Sequence, residues 1–390
     1  MKDFIYHNPT KIFFGTDHAH RIAEEIKTYG DSVLMVYGGG SIKTNGVYDD
    51  IKGALLDGGL TVTELSGVQP NPRVASAREG IRLARDNQVD FVLAVGGGSV
   101  IDCAKLICAG FYYDGDPWNI VTKGHGAKVE RALPLGSVLT LSATGSEMDS
   151  GSVITNPDTQ EKLGWGTPLV QPKFSLLNPA YTNSVNPWHT AAGLADIMSH
   201  TMENYFTVYD DAFMQDSFAE GILKTCVHYG PVALQEPDNY EARSNIMWAG
   251  TWAINGLIDT GKPTAWSVHP MEHELSAFYD ITHGVGLAIL TPRWLRHVLD
   301  ETTAPKIARM GRQVFGLVES DTMKAADAAI DALYHFFESI GIPMHLKDVG
   351  IDDTQLEAMA AACLVHTKGT IHGFVDMNEE DVLEIYKACL

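Results

Sequence analysis

Two short apolar segments, Ser32-Val-Leu-Met-Val-Tyr37 and Phe91-Val-Leu-Ala-Val95, each run straight into three glycines and a serine, Gly38–Ser41 and Gly96–Ser99. Strands that are apolar throughout, rather than alternating, are buried on both faces, and such strands belong to parallel sheets covered by helices. The surrounding pattern agrees: helical periodicity at about 18–28, 46–57 and 73–87 alternates with these strands and with another at Thr61–Leu65. Residues 4–15, rich in aromatic and β-branched side chains, read as a broken strand or hairpin. Ligands of open parallel sheets lie beyond the carboxyl ends of the strands, which is where both glycine loops fall.

From about residue 187 the character changes. Helical patterns follow at about 187–206, 211–228, 240–256, 266–278, 284–298, 304–315, 322–340, 353–365 and 379–389, with Asn378 placed to cap the last. The expected fold class is α/β plus all-α: a Rossmann-like parallel α/β domain over residues 1–182 and an all-helical domain over 183–390, joined within Leu177–Pro187. At 390 residues the chain can give each domain its own core.

The loop Gly96-Gly-Gly-Ser-Val-Ile-Asp102 is not the GxGxxG fingerprint, yet its physics is similar. Glycines let backbone approach a pyrophosphate, and the following helix offers unpaired N–H groups at its positive end. A tight strand-to-helix turn without a ligand would use the same residues. The first loop, Gly38 to Lys43, lacks the carboxylate that usually meets an NAD ribose and carries Ser41 and Lys43, so NADP(H) is favoured over NAD(H). Between the loops, Val68-Gln-Pro-Asn-Pro72 presents Asn71 on a rigid turn. Leu139–Glu147 reads as a strand entering a hydroxyl-rich loop.

Three imidazoles fall within the fifteen residues from His269 to His283. His269 and His273, four apart, share one helix face, as do Asp196 and His200. His283 would lie about 21 Å beyond His269 on an unbroken helix at ~1.5 Å per residue. Convergence therefore requires a reversal, for which Phe278–Gly284 supplies Asp, Thr and Gly. One carboxylate with three imidazoles suits a divalent ion of the zinc or iron kind. The run His269-x-x-Glu272-His273 also matches an inverted metalloprotease motif with Glu272 as base, although Pro270 fits a first helical turn better.

Charge narrows the partners. With 28 Lys plus Arg against 49 Asp plus Glu, the net charge is −21, which repels nucleic acid and anionic membrane. The five cysteines show no CxxC spacing and read as reduced thiols of a cytoplasmic protein. The first residues contain no apolar signal segment, and no apolar run reaches the length of a membrane span.

Taken in order, Asn8–Gly15, Tyr37–Ser41, Gln69–Pro72, Ala94–Lys105, Ala143–Glu147, Gly193–His200 and His269–His283 resemble the iron-containing (group III) alcohol dehydrogenases, in particular their NADP-dependent butanol dehydrogenase-like and aldehyde reductase branch. The resemblance implies a dehydroquinate synthase-like architecture and hydride transfer between NADP(H) and a small aliphatic alcohol or aldehyde. It places one Fe(II) or Zn(II) on Asp196, His200, His269 and His283, and leaves His273 beside the substrate as a catalytic proton relay. It assigns Gly96, Gly97, Gly98, Ser99 and Asp102 to the pyrophosphate and nicotinamide side, and Gly38, Gly39 and Ser41 to the adenosine end. Asn71, Thr140, Thr144 and Lys162 fall at further cofactor positions. A homodimer built through residues 4–15 is also implied. Asn178 and Asn186 depart from the family pattern, which has an acid and a proline there. Trp266, Phe278 and Tyr279 flank the histidines and would favour a small or medium aliphatic substrate. A dehydroquinate synthase-type lyase, a metalloprotease and a metal-free NADPH sensor are the other readings.

Overall fold

The computed structural model describes residues 1–208, 211–263 and 266–390. It divides into two compact units, one of His7–Val185 and one of Met1–Tyr6 with Asn186–Leu390. The first six residues join the second unit because the Lys2 N–H donates to the Gly261 carbonyl at 2.7 Å and the Gln215 amide reaches Met1 Sδ and Thr260. Sequence alone assigns them to the α/β domain.

The first unit carries β1 (Lys11–Phe14), β2 (Ser32–Tyr37), β3 (Thr61–Leu65), β4 (Phe91–Gly96), β5 (Leu135–Leu139), β6 (Gly151–Asn156), β7 (Glu161–Gly166) and β8 (Phe174–Leu177). Six of these form a parallel sheet in the order β1-β8-β5-β4-β2-β3. Helices α1 (Ile22–Lys27), α2 (Val47–Asp57), α3 (Val74–Asp86), α4 (Gly98–Gly110) and α5 (Trp118–Thr122) lie between strands in the chain. The central strands are buried along their length, as their unbroken apolar sequence requires. From β2 the chain departs toward β3 on one side; from β4 it departs toward β5 on the other. Strand order thus reverses between the neighbours β2 and β4, and the two glycine loops flank that switch point.

Two sequence expectations are adjusted, and one element went unread. The strand read as starting at Leu139 ends there: Thr140 N–H still donates to the Gly96 carbonyl at 3.1 Å, and the hydroxyl-rich residues then leave the sheet. Within 4–15 only Lys11–Phe14 is a strand, paired with β8. The antiparallel hairpin β6–β7 had no legible signal, since its glycines and polar residues interrupt any alternation.

The second unit is helical: α6 (Pro187–Tyr205), α7 (Phe213–Gln235), α8 (Tyr240–Ala253), α9 (Val268–Tyr279), α10 (His283–His297), α11 (Ala304–Phe315), α12 (Thr322–Ser339), α13 (Leu356–His366) and α14 (Glu379–Ala388). Asn186 begins it. Its side chain accepts the His189 N–H at 2.8 Å and Pro187 takes the first helical position, so the departure from the family proline supplies an N-cap. Asn178 caps the short turn Pro179–Thr182 in the same way. Helix α6 is buried from Thr190 through Tyr205, which marks it as the centre of the bundle. Asn378 and Asp381 form a reciprocal capping box at the start of α14. Among the described residues no helix is long and apolar enough to cross a membrane.

Candidate metal centre and coenzyme loops

A carboxylate on a helix buried all round has to be neutralised or shared with a cation. Asp196 is in that position, 3 % exposed in the middle of α6, with His200 one turn further on. Asp196 Oδ1 lies 3.3 Å from His200 Nδ1 and 3.7 Å from His283 Nε2. The ring of His269 stands 4.5 Å from that of His200 and 5.3 Å from that of His283, centroid to centroid. Ligating atoms of Asp196, His200 and His269 fall within 4.8 Å of one another.

The local sequence explains the convergence. Pro270 sits in the first turn of α9, so His269 lies at its N-terminal end. The helix stops at Tyr279, Asp280 takes a left-handed conformation (φ 53°), and α10 begins at His283. The chain reverses in three residues and returns the third imidazole to the first. Gly284 lets α10 close on α6, where a Cβ would stand 2.0 Å from the Ala192 carbonyl oxygen.

Burial, and then the adjacent His269 ring, push His200 well below the usual imidazole range, so it is held neutral, the form that ligates metal. One carboxylate and three rings carried on separate helices, with His283 22 % exposed and the others buried, are a donor set that fits a divalent ion. His273 stands further out, its ring 6.3 Å from His269 and 5.9 Å from His283. Trp266 packs edge-on to His269 at 4.9 Å, whereas Phe278 and Tyr279 pack against the helical core.

Sequence reading omitted Glu203 and gave Glu272 a role only in the metalloprotease alternative. Glu203 accepts the backbone N–H groups of Ser267, Val268 and His269 and lies 3.0 Å from His269 Nδ1. Its spacing with Asp196 and His200, seven and three residues on, was the available signal. Glu272 is fully buried, accepts the Ser276 hydroxyl at 2.5 Å and pairs with His283 Nδ1. Enclosed and bonded by two side chains, Glu272 does not face solvent as a hydrolytic base does, and the metalloprotease reading falls.

The coenzyme candidates all belong to the α/β unit. Gly38, Gly39 and Ser41 follow β2, with Gly40 left-handed at φ 109°. Lys43 is exposed, with Nζ 5.0 Å from the Tyr37 ring and 4.8 Å from that of Tyr48; the Tyr37 hydroxyl beside it raises its pKa. Gly96, Gly97, Gly98 and Ser99 lead from β4 into α4. A Cβ at Gly98 would meet the Thr144 side chain at 2.3 Å, so this glycine admits the 144 loop beside α4. Thr140 follows β5, and Lys162 is buried on β7 opposite Thr155. Asn71 is buried in a left-handed conformation. Asp102 faces inward: its carboxylate accepts the Ser146 hydroxyl at 2.6 Å and the Val153 N–H at 2.8 Å, and burial pushes its pKa up to about 6. It ties α4 to the loop before β6.

Two family models cover most of this sequence: iron-containing alcohol dehydrogenase over residues 9–179, and the C-terminal part of the Fe-containing alcohol dehydrogenase family over residues 190–390. The chain belongs to the iron-containing alcohol dehydrogenase family. It is 52 % identical to the NADH-dependent butanol dehydrogenase A of Clostridium acetobutylicum, covering 99 % of each chain. It is 42 % identical to the NADPH-dependent aldehyde reductase YqhD of Escherichia coli, covering 92 % of each. The solved NADH-dependent butanol dehydrogenase A of Thermotoga maritima superposes with a TM-score of 0.95 at 37 % identity, over 100 % of this chain and 99 % of that one. The enzyme is an oxidoreductase of this family, whose members use a nicotinamide coenzyme with a metal ion. Family membership sets aside the lyase and metal-free sensor readings.

Proposed function

We propose that the enzyme interconverts a small aliphatic primary alcohol and its aldehyde, with Asp196, His200, His269 and His283 holding one Fe(II) or Zn(II). The observation that carries this is the approach of Asp196 to His283, two residues on different helices whose atoms come within 3.7 Å. When bound, the ion supplies a Lewis acid for the substrate oxygen and the coenzyme supplies or accepts the hydride. The chain does the rest. The glycine loops at the β2/β4 switch point offer backbone N–H groups to the pyrophosphate, and Ser99 and Thr144 add hydroxyls. Trp266 gives the metal residues an apolar neighbour that excludes water. His273 exchanges the hydroxyl proton with solvent, the role of an imidazole placed beside a reacting oxygen.

NADP(H) is proposed over NAD(H), because the first loop has no carboxylate and presents the exposed ammonium of Lys43. The named relatives divide on this point. The test follows oxidation of NADPH and of NADH with a panel of C3–C6 aldehydes, after chelation and after return of Fe(II) or Zn(II). Chelation should abolish turnover and add-back restore it; turnover indifferent to chelation ends the reading. In the same assay Lys43→Ala should raise the KM for NADPH about tenfold, the size of one charge-assisted contact, and leave NADH unchanged. Equal effects on both coenzymes would remove Lys43 from the selection.

Replacing His273 by Ala should lower kcat by about 10²-fold, the range for a lost proton-transfer group, while metal content stays at the wild-type level. Loss of metal in that variant would make His273 a ligand rather than a relay. A homodimer and a cytoplasmic location complete the proposal. The dimer is supported by β1 being the outer strand of its sheet and by the exposed side chains of Phe4, Ile5 and Tyr6. The location is supported by five cysteines, all buried and unbridged.

A further inference from the structure

An imidazole can ligate through either nitrogen, and what the other nitrogen touches decides which. For both outer rings of the cluster that contact is a buried carboxylate. Glu203, 3 % exposed, reaches His269 Nδ1 at 3.0 Å. It is itself fixed by the three successive N–H groups that open α9, at 2.7 to 2.8 Å. Glu272, 0 % exposed, pairs with His283 Nδ1 while the Ser276 hydroxyl secures its other oxygen at 2.5 Å. Opposite that contact, His283 Nε2 points toward Asp196.

We infer that Glu203 and Glu272 are paired positioning residues, each holding one imidazole by Nδ1 so that His269 and His283 both offer Nε2 to the ion. The arrangement has a clear physical logic. A carboxylate accepting from Nδ1–H selects the tautomer with its lone pair on Nε2, fixes the ring plane and raises the donor strength of that nitrogen. It also adds negative charge near the cation without occupying a coordination position. Each carboxylate is secured by a different device, a helix N-terminus for Glu203 and a neighbouring hydroxyl for Glu272. Ring orientation is thereby imposed by α6 on α9 and by α9 on α10, so the three helices hold one another's ligands.

The inference rests on the metal reading, and its test separates the two. Apo wild type, His269→Ala, Glu203→Gln, Glu272→Gln and Ser276→Ala are titrated with Zn(II) against a chromophoric chelator, and with Co(II) for its visible spectrum. Circular dichroism and thermal unfolding follow the fold. Glu203→Gln keeps an amide oxygen for the helix N–H groups but loses the anion facing Nδ1. A mere helix cap would therefore lower the melting temperature and leave the metal affinity alone. The expected result is a 10- to 100-fold weaker affinity in folded Glu203→Gln and Glu272→Gln, with an altered Co(II) spectrum. A smaller loss, about threefold, is expected for Ser276→Ala, which loosens Glu272 without touching a ring. Wild-type affinity in either Gln variant, or in Ser276→Ala should Glu272→Gln fail to fold, overturns the inference while the metal site stands. If wild type binds no more tightly than His269→Ala, the metal reading itself fails.

Discussion

Replacing His283 by alanine will remove the bound divalent ion and reduce turnover by on the order of 10³-fold, the several kcal/mol that a Lewis acid supplies. The argument is geometric. His283 is the first residue of α10, reached by a three-residue reversal that sets its Nε2 3.7 Å from Asp196. Its side chain is 22 % exposed, so truncation opens no sealed cavity and the fold should survive. The alanine variant also leaves Glu272 facing an empty position inside the protein, which adds a local cost to the loss of the ligand. Metal per chain by mass spectrometry, read beside coenzyme oxidation, checks the outcome. Asp196→Asn is the companion variant, equal in shape and lacking the charge; it should lose the ion as completely. A His283→Ala enzyme with one metal per chain and ordinary turnover would remove this residue from the site.

The parts of this molecule written into short stretches of sequence were readable there, and those that depend on distant partners were not. Apolar strands running into glycines declare a parallel sheet and its ligand edge, because each strand carries its burial pattern alone. Asp196 with His200 and His269 with His273 declare helix faces through the four-residue spacing. The reversal before His283 was legible as turn chemistry. Glu203 was not, because its partner ring lies 66 residues away, and its spacing from Asp196 and His200 places it near their helix face without naming that partner. Glu272 entered only as the base of the metalloprotease alternative, because its motif suits hydrolysis, whereas the fold buries it against Ser276 and His283. Gly98 reads as a place where phosphate approaches the backbone; that its missing Cβ also makes room for Thr144, 46 residues on, is visible only in the fold. The strand misplaced at Leu139 shows the same limit: Thr and Ser continue a β-type composition past the point where Gly96 offers its last carbonyl.

Helix placement rather than ligand chemistry is the second point at which the site can be broken, and Gly284→Ala tests it without touching a donor atom. A Cβ there would lie 2.0 Å from the Ala192 oxygen and 2.7 Å from its carbonyl carbon. Both are backbone atoms of α6, which is buried along this stretch and cannot yield. Helix α10 must instead move away from α6, and the contact it opens is the one holding His283, next in sequence, against Asp196, one turn further along α6. Overpacking of this kind costs about 3 kcal/mol. For a unit of this size that lowers the melting temperature by roughly 10 °C. Because the shift separates two of the proposed ligands, Zn(II) affinity should fall at least tenfold in protein that remains folded, an effect a purely elastic strain elsewhere would not produce. Gly53→Ala is the matched control: its Cβ meets nothing within 4 Å on α2, and a helix-interior glycine replaced by alanine should gain about 0.5 kcal/mol. A Gly284→Ala protein that melts and binds metal like wild type would show that α6 and α10 do not set the ligand spacing.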